Sequence, residues 1–302
     1  MVSTLRSLRL ITFGADAATV IGRSRGMFAA GGFEVSVTIT PNSTEQMRGL
    51  GAGTWEIAST AFDNVLAWSG REGAEIVAVA QVADRILLPV LVRPEIRDWK
   101  DLRGRRLAVD AVDTAYALVL RRILLAHGLD LKQGDYELVG VGATGRRLES
   151  MERGETFAGI LNPPWDARAV EAGMVRFGDH REVLPDYPGG VFAVSRAWAQ
   201  GHRDEMVGFL RSWLTALRWA NDPANREEAI GLAAAEQGLR REAAAGHLTR
   251  LPREGGLNLS GLQSVLDLRI QFGLTPPMGP DLTRYYDLSY YQAALGGKDD
   301  IQ

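Results

Sequence analysis

Four short stretches carry the residue types most able to hold a small charged molecule: Asp16-Ala-Ala18, Ser43-Thr44-Glu45, Asp113-Thr114-Ala115 and Thr144-Gly-Arg146. Each stands where an apolar strand-like run gives way to a helix-like one. A helix start leaves backbone N–H groups without intrahelical acceptors and carries the positive end of the helix dipole. Such a place suits a carboxylate, a sulfonate or a phosphate. The same residue types also serve simply as N-caps, and Asp16, Ser43, Thr44 and Asp113 fit that plainer role equally well.

Further candidates lie where strands should end. Thr60-Ala-Phe-Asp63-Asn64 follows one apolar run, and Asn162-Pro-Pro-Trp165-Asp166 follows its counterpart. Asp16, Asp63, Asp110 and Asp113 together would crowd a site that also has positive helix ends. A bare inorganic anion is then a poor guest. A ligand with an anionic end and N–H or O–H donors fits better: an amino-substituted acid, a hydroxylated aromatic acid or a pyrimidine. Arg85 and the pair Arg146-Arg147 could supply a cation for the anionic end, or could lie on solvated faces. Trp165 could stack on a flat ligand or pack a crossover.

A catalytic set is harder to find. His127, His180, His202 and His247 are isolated, with no pair at metal-ligand spacing. Nucleophile elbows, Walker loops and His-Glu-x-x-His are absent. A reaction would have to use an acid such as Asp63 or Asp113, or Tyr116, beside the scissile group. No metal and no cofactor is expected.

The elements that must position these residues occur twice. Leu8–Phe13 reads as a strand, Asp16–Ala30 as a helix, Phe33–Ile39 as a strictly alternating strand, and Trp55–Thr60 as a third strand after a helix capped by Ser43 or Thr44. Leu107–Asp110, a helix from Asp113, Tyr136–Val141, a helix from Arg146 and Phe157–Leu161 repeat that string about a hundred residues later. Two such units predict two similar α/β lobes with parallel strands, and a ligand site outside the strands' carboxyl ends, in the cleft that the lobes share. Beyond about Tyr187 the chain turns helical. Met206, Phe209, Leu210, Trp213, Leu214 and Leu217 fall on one face of a helix over 205–220. Helices near 225–236, 240–250, 259–272 and 281–295 follow, predicted to pack on the first lobe.

Gly140-Val-Gly-Ala-Thr-Gly145 matches the dinucleotide fingerprint G-x-G-x-x-G. In the repeat, however, it falls at the second strand-to-helix turn, not the first. The next strand ends at Leu161-Asn162, with no acid there for a ribose hydroxyl. The reading is a tight turn rather than a nicotinamide or flavin site.

Composition narrows the class. The chain has 302 residues, 46% of them hydrophobic and 24% charged, with a formal net charge of -3. That leaves no basic footprint for nucleic acid and no polybasic stripe for a membrane. There is no cysteine, so disulfides, thiolate nucleophiles and cysteine-bound metals are excluded. No apolar run approaches the ~18 residues of a membrane span. Met1-Val2-Ser3 stands a few residues before the first strand, with no secretory leader in view.

Three segments resemble a known family. Asp101-Leu-Arg-Gly-Arg-Arg-Leu-Ala-Val-Asp110-Ala-Val-Asp-Thr-Ala-Tyr116 looks like the second-lobe opening of solute-binding proteins for nitrate, aliphatic sulfonates, taurine and thiamine-type pyrimidines. Gly51–Ala61 resembles their G-x-x-D-(I/V/L)-A strand, and Arg25-Gly-Met-Phe28 their (K/R)-G-(F/Y)-F helix end. The resemblance covers nearly the whole chain. It implies the hinged, two-lobed periplasmic-binding-protein fold of type II, with lobe one at 1–88 plus 191–302 and lobe two at 89–190. It also implies a small-molecule ligand handed to an ABC permease, and a periplasmic location. Cytoplasmic enzymes on the same fold, such as a dihydroxyphthalate decarboxylase, are the alternative: a cofactor-independent lyase or hydrolase acting on an aromatic or heterocyclic acid. Related sulfinate desulfinases and yeast-type pyrimidine synthases depend on cysteine chemistry that this chain lacks. On either reading the ligand-binding candidates are Asp16, Ser43, Thr44, Thr60, Asp63, Asn64, Arg85, Asp110, Asp113, Thr114, Tyr116, Thr144, Asn162 and Trp165.

Overall fold

The computed structural model describes residues 4–296; Met1-Val2-Ser3 lies outside them. Two compact units emerge. One comprises the chain up to Ile86, Pro188–Leu262 and the part from Pro276 on; the other comprises Leu87–Tyr187 and Gln263–Thr275.

In the first unit the strands are β1 (Arg6–Thr12), β2 (Phe33–Ile39), β3 (Ile57–Ala61), β4 (Ile76–Gln81) and, after an excursion through the second unit, β10 (Gly190–Ser195). The second unit holds β5 (Pro89–Val92), β6 (Arg105–Val109), β7 (Tyr136–Gly140), β8 (Ala158–Ile160) and β9 (Val175–Asp179). The sheet orders are β2-β1-β3-β10-β4 and β7-β6-β8-β5-β9. Each therefore has the repeat's three strands side by side and parallel, then one antiparallel strand, then the last. The periodicity readings missed β4, β5, β9 and β10. β4, β5 and the centre of β10 are continuously buried, so they lack the alternation that reveals a half-exposed strand. Part of the open edge of β4 is covered: Tyr286 bridges Ala78, Asp287 N–H donates to the Ala78 carbonyl, and Gln81 N–H donates to the Gly255 carbonyl.

The helices of the first unit's early part are α1 (Ala17–Ser24), α2 (Met27–Ala30), α3 (Ser43–Gly51) and α4 (Phe62–Trp68). The single helix expected over 16–30 is broken, because Gly26 adopts φ 67°, a left-handed conformation that glycine tolerates at little cost. The second unit adds α5 (Ala115–Ala126), α6 (Thr144–Glu152) and α7 (Trp165–Glu171). Then come α8 (Arg196–Gly201), α9 (Arg203–Asn221), α10 (Arg226–Gln237), α11 (Arg241–Leu248), α12 (Leu259–Gln271) and α13 (Ser289–Ala294).

All six residues assigned to the inner face of α9 are buried, beside α1 and the strands. Phe28 stacks on Phe209 at 5.4 Å, and Phe192 meets Phe209 and Trp213 edge-on at 5.3 and 5.2 Å. Such aromatic contacts add to the area they bury. α10, α11 and α13 join this core. The segment Gln263–Thr275 differs from the sequence expectation, since it packs with the second unit. Arg121 on α5 lays its guanidinium carbon 3.9 Å above the Phe272 ring, a contact no helical periodicity encodes.

Candidate functional site

In the second unit, polar residues gather where β6, β7 and β8 end. Asp110 follows β6, and its carbonyl accepts a hydrogen bond from Gly142 N–H, so the β6–α5 and β7–α6 turns touch. Asp110 Oδ1 accepts from Thr114 Oγ1, which also reaches the Ala111 carbonyl at 3.0 Å. α5 starts at Ala115 with Thr114 as its cap residue, rather than at Asp113. Asp113 is exposed, and its carbonyl accepts from Arg269 at 3.4 Å.

α6 begins with Ala143 as its cap residue, and no side chain caps its N–H groups. Thr144 Oγ1 donates to Asn162 Oδ1 at 2.8 Å and accepts from Arg147 Nη2. Arg147 is 3% exposed, its Nε finds no acceptor among the described residues, and its guanidinium carbon lies 5.8 Å from the Tyr116 ring centroid. Burial holds its pKa below the ordinary arginine value, while the charges of Asp110 and Tyr116 act through space in the opposite direction. Among the described residues it forms no ion pair, and an enclosed cation without one is costly to keep. Arg146, one residue earlier, is exposed. Arg147 is thus the functional candidate that the residue-by-residue reading left unresolved within a pair. Its signal is available from the helix face: Arg147, Leu148 and Met151 share one buried stripe.

The glycines of Gly140–Gly145 now have separate reasons. Gly142 has φ +92°, which a side chain rarely adopts. A Cβ on Gly145 would come within 2.9 Å of the Trp165 ring. Trp165 is therefore packed on the first turn of α6, with the Arg168 guanidinium carbon 4.7 Å from its ring centroid. It serves as a wall of this corner.

In the first unit, Asp16 is the N-cap of α1 and is fully engaged. Its oxygens accept from Thr19 N–H at 2.9 Å, Thr19 Oγ1 at 2.6 Å and Trp213 Nε1 at 3.0 Å. Burial nonetheless raises its pKa, with these bonds pulling the other way. α3 is capped by Asn42, whose side chain accepts from Glu45 N–H, and not by Ser43 or Thr44. Asn42 holds the extended backbone a cap needs, φ -163° and ψ 164°, which leaves Ser43 as the first helical residue. Thr60, Asp63 and Asn64 are buried together at the end of β3, where Asn64 Nδ2 donates to Thr60 Oγ1 at 2.9 Å. Gln46 on α3 donates to the Ile11 and Ser59 carbonyls at 3.3 and 3.0 Å, tying α3 to the ends of β1 and β3. Arg85 stands apart, exposed in the segment after β4.

His247 and Gln237 support the β1–α1 turn from behind. Gln237 Nε2 donates to the Ala15 carbonyl at 2.6 Å, and His247 Nδ1 lies 2.9 Å from Gln237 Oε1. Burial and the nearby Arg250 lower the His247 pKa to about 4. Among the described residues no group of three His, Asp or Glu stands close enough to hold a metal ion, and no helix is long and apolar enough to cross a membrane.

Two mixed five-stranded sheets with these strand orders define the periplasmic-binding-protein fold. Solved structures bear this out. The alkanesulfonate-binding protein SsuA from Xanthomonas axonopodis pv. citri bound to MOPS is 17% identical, with 93% of this chain and 98% of that one covered and a TM-score of 0.73. The periplasmic nitrate-binding protein NrtA from Synechocystis PCC 6803 is 14% identical, covering 99% and 90%, with a TM-score of 0.77. A ligand-binding component of an ABC-type import system from Staphylococcus aureus, with zinc bound, is 15% identical, covering 96% and 99%, with a TM-score of 0.78. At these identities the likeness is one of fold. Comparison with curated protein sequences yields no match. Residues 10–234 match the model of the NMT1-like family, and the chain belongs to that family.

Proposed function

We propose that this protein binds a small organic ligand as the substrate-binding component of an ABC importer, and that the start of α6 holds the ligand's anionic end. One observation carries the reading: Arg147 is an enclosed guanidinium that forms no ion pair among the described residues, with Asp110 acting on it only through space, in the first turn of a helix that no side chain caps. An anion at that place satisfies the cation and the helix N–H groups at once. Thr144 links Arg147 to Asn162, and the Tyr116 ring centroid lies 5.8 Å from the Arg147 guanidinium carbon; in this reading these residues supply directional contacts. The fold neighbours named for nitrate, alkanesulfonate and ABC import support a transport role. In that role the partner is a permease and the place of work is the periplasm.

The test is a thermal-shift screen of carboxylates, sulfonates, pyrimidines and hydroxylated aromatic acids, followed by titration calorimetry with Arg147→Gln on every hit. A charge-assisted bond lost should cost ~1.5–3 kcal/mol, about ten- to a hundred-fold in affinity. Unchanged affinity in Arg147→Gln refutes the placement. Asp63→Asn on the same hits asks whether the polar group at the end of β3 takes part. A hit that purified protein consumes over minutes replaces the transport reading with an enzymatic one.

A further inference from the structure

We propose that Asp110 sets the charge of the accepted ligand at minus one, so that the α6 site takes the monoanion of an organic acid and turns away dianions of the same shape. The inference rests on the anion-site reading above and adds a selectivity that the reading does not contain.

Its basis is the pairing of two turns. The Asp110 carbonyl accepts from Gly142 N–H at 3.3 Å, and a Cβ on Gly140 would stand 3.6 Å from that same carbonyl. The backbone of Asp110 is thus fixed against the loop that leads into α6. Its carboxylate is half-buried, and Oδ1 is occupied by the Thr114 hydroxyl, which holds the side chain in place. Arg147 occupies the first turn of α6, anchored through Thr144 to Asn162.

The arithmetic of formal charge follows. Arg147 contributes one positive charge and Asp110 one negative, which leaves the uncapped helix start, equivalent to roughly half a positive charge, as the excess. A monoanion is stabilised by that remainder and by the N–H groups. A dianion brings a second negative charge into partly dehydrated surroundings beside a fixed carboxylate, and the next guanidinium, that of Arg146 by Gly142, is exposed and screened by water. Like-charge juxtaposition is an effective way to reject a near-isosteric competitor. Carboxylates and sulfonates meet the condition at neutral pH; sulfate does not.

Methanesulfonate and sulfate make the comparison clean, since both are tetrahedral and of similar size but differ in charge. Each is titrated calorimetrically into the full chain, into Asp110→Asn and into Arg147→Gln. Asparagine keeps an acceptor for Thr114 and removes only the charge; Asp110→Ser is the second variant should the first fold poorly. In the unaltered protein methanesulfonate should bind at least about ten-fold more tightly than sulfate. Both Asp110 variants should narrow that ratio about ten-fold, chiefly by strengthening sulfate. Equal affinities in the unaltered protein, or a ratio unmoved by the Asp110 variants, overturn the charge rule while loss of binding in Arg147→Gln keeps the anion site. If neither probe binds, or Arg147→Gln binds both undiminished, the site reading falls and the charge rule with it.

Discussion

Arg146 and Arg147 are adjacent in the chain and opposite in environment, the first exposed and the second 3% exposed with an unpartnered Nε. A step of about 100° around the helix axis separates solvent from the interior of the second unit. The enclosed guanidinium is a local cost to the fold. Replacing a buried ion by an apolar side chain of similar length is often neutral or stabilising, by ~1–4 kcal/mol. Arg147→Met should therefore unfold at equal or higher urea concentration than the parent, while losing every anionic ligand. A clear loss of stability would mean that the side chain is structural.

Gly145 and Gly246 form a second contrast. Both lie inside helices, but a Cβ on Gly145 meets the Trp165 ring at 2.9 Å, whereas one on Gly246 meets nothing within 4 Å. Gly145→Ala should destabilise by ~1–3 kcal/mol through overpacking. Gly246→Ala should stabilise by ~0.5–1 kcal/mol, because alanine loses less backbone entropy in a helix. Paired chemical melts read both signs.

The His247 pKa, lowered from 6.5 to about 4, predicts an acid limb of stability. The unfolded histidine takes a proton as pH falls below 6.5, and the folded one resists until about 4. Stability is thus lost as pH falls through that window, by up to about 3 kcal/mol at ~1.4 kcal/mol per unit. NMR titration of the imidazole checks the value. His247→Gln should flatten the acid limb of the melting curve.

Asp16 gives the opposite slope. Its folded pKa is raised above 3.8 by burial, so the folded state keeps a proton that the unfolded state has released. Stability falls as pH rises from 3.8 through the raised value. Asp16→Asn keeps an acceptor for Trp213 Nε1 and the Thr19 N–H and should remove this slope. Trp213→Phe, which deletes the indole donor to Asp16, should cost ~1–3 kcal/mol. Melting temperatures across pH 3 to 7 separate the two.

The repeat was legible from local patterns. Alternation in Phe33–Ile39, the apolar stripe of α9 and the stops at Gly53 and Gly154 are short-range signals, and they located the three parallel strands of each sheet. Resemblance in three short segments led to the same fold. Caps were read to within a residue and sometimes wrongly: Asn42, not Ser43, closes α3, because neighbouring polar residues compete for one extended backbone position.

What the chain by itself determined is the pair of α/β units, the absence of thiol chemistry and the polar turns at strand ends. Those follow from composition and from periods of two and about 3.6 residues, which act over a few neighbours. Only tertiary structure decided that β5 and β10 return antiparallel, that Gln263–Thr275 packs with the second unit, that Asp16 is committed to Trp213, and that Arg147 rather than Arg146 is enclosed. Each depends on contacts made across long stretches of sequence, or on which side of a helix the rest of the molecule covers. A local pattern carries no record of either.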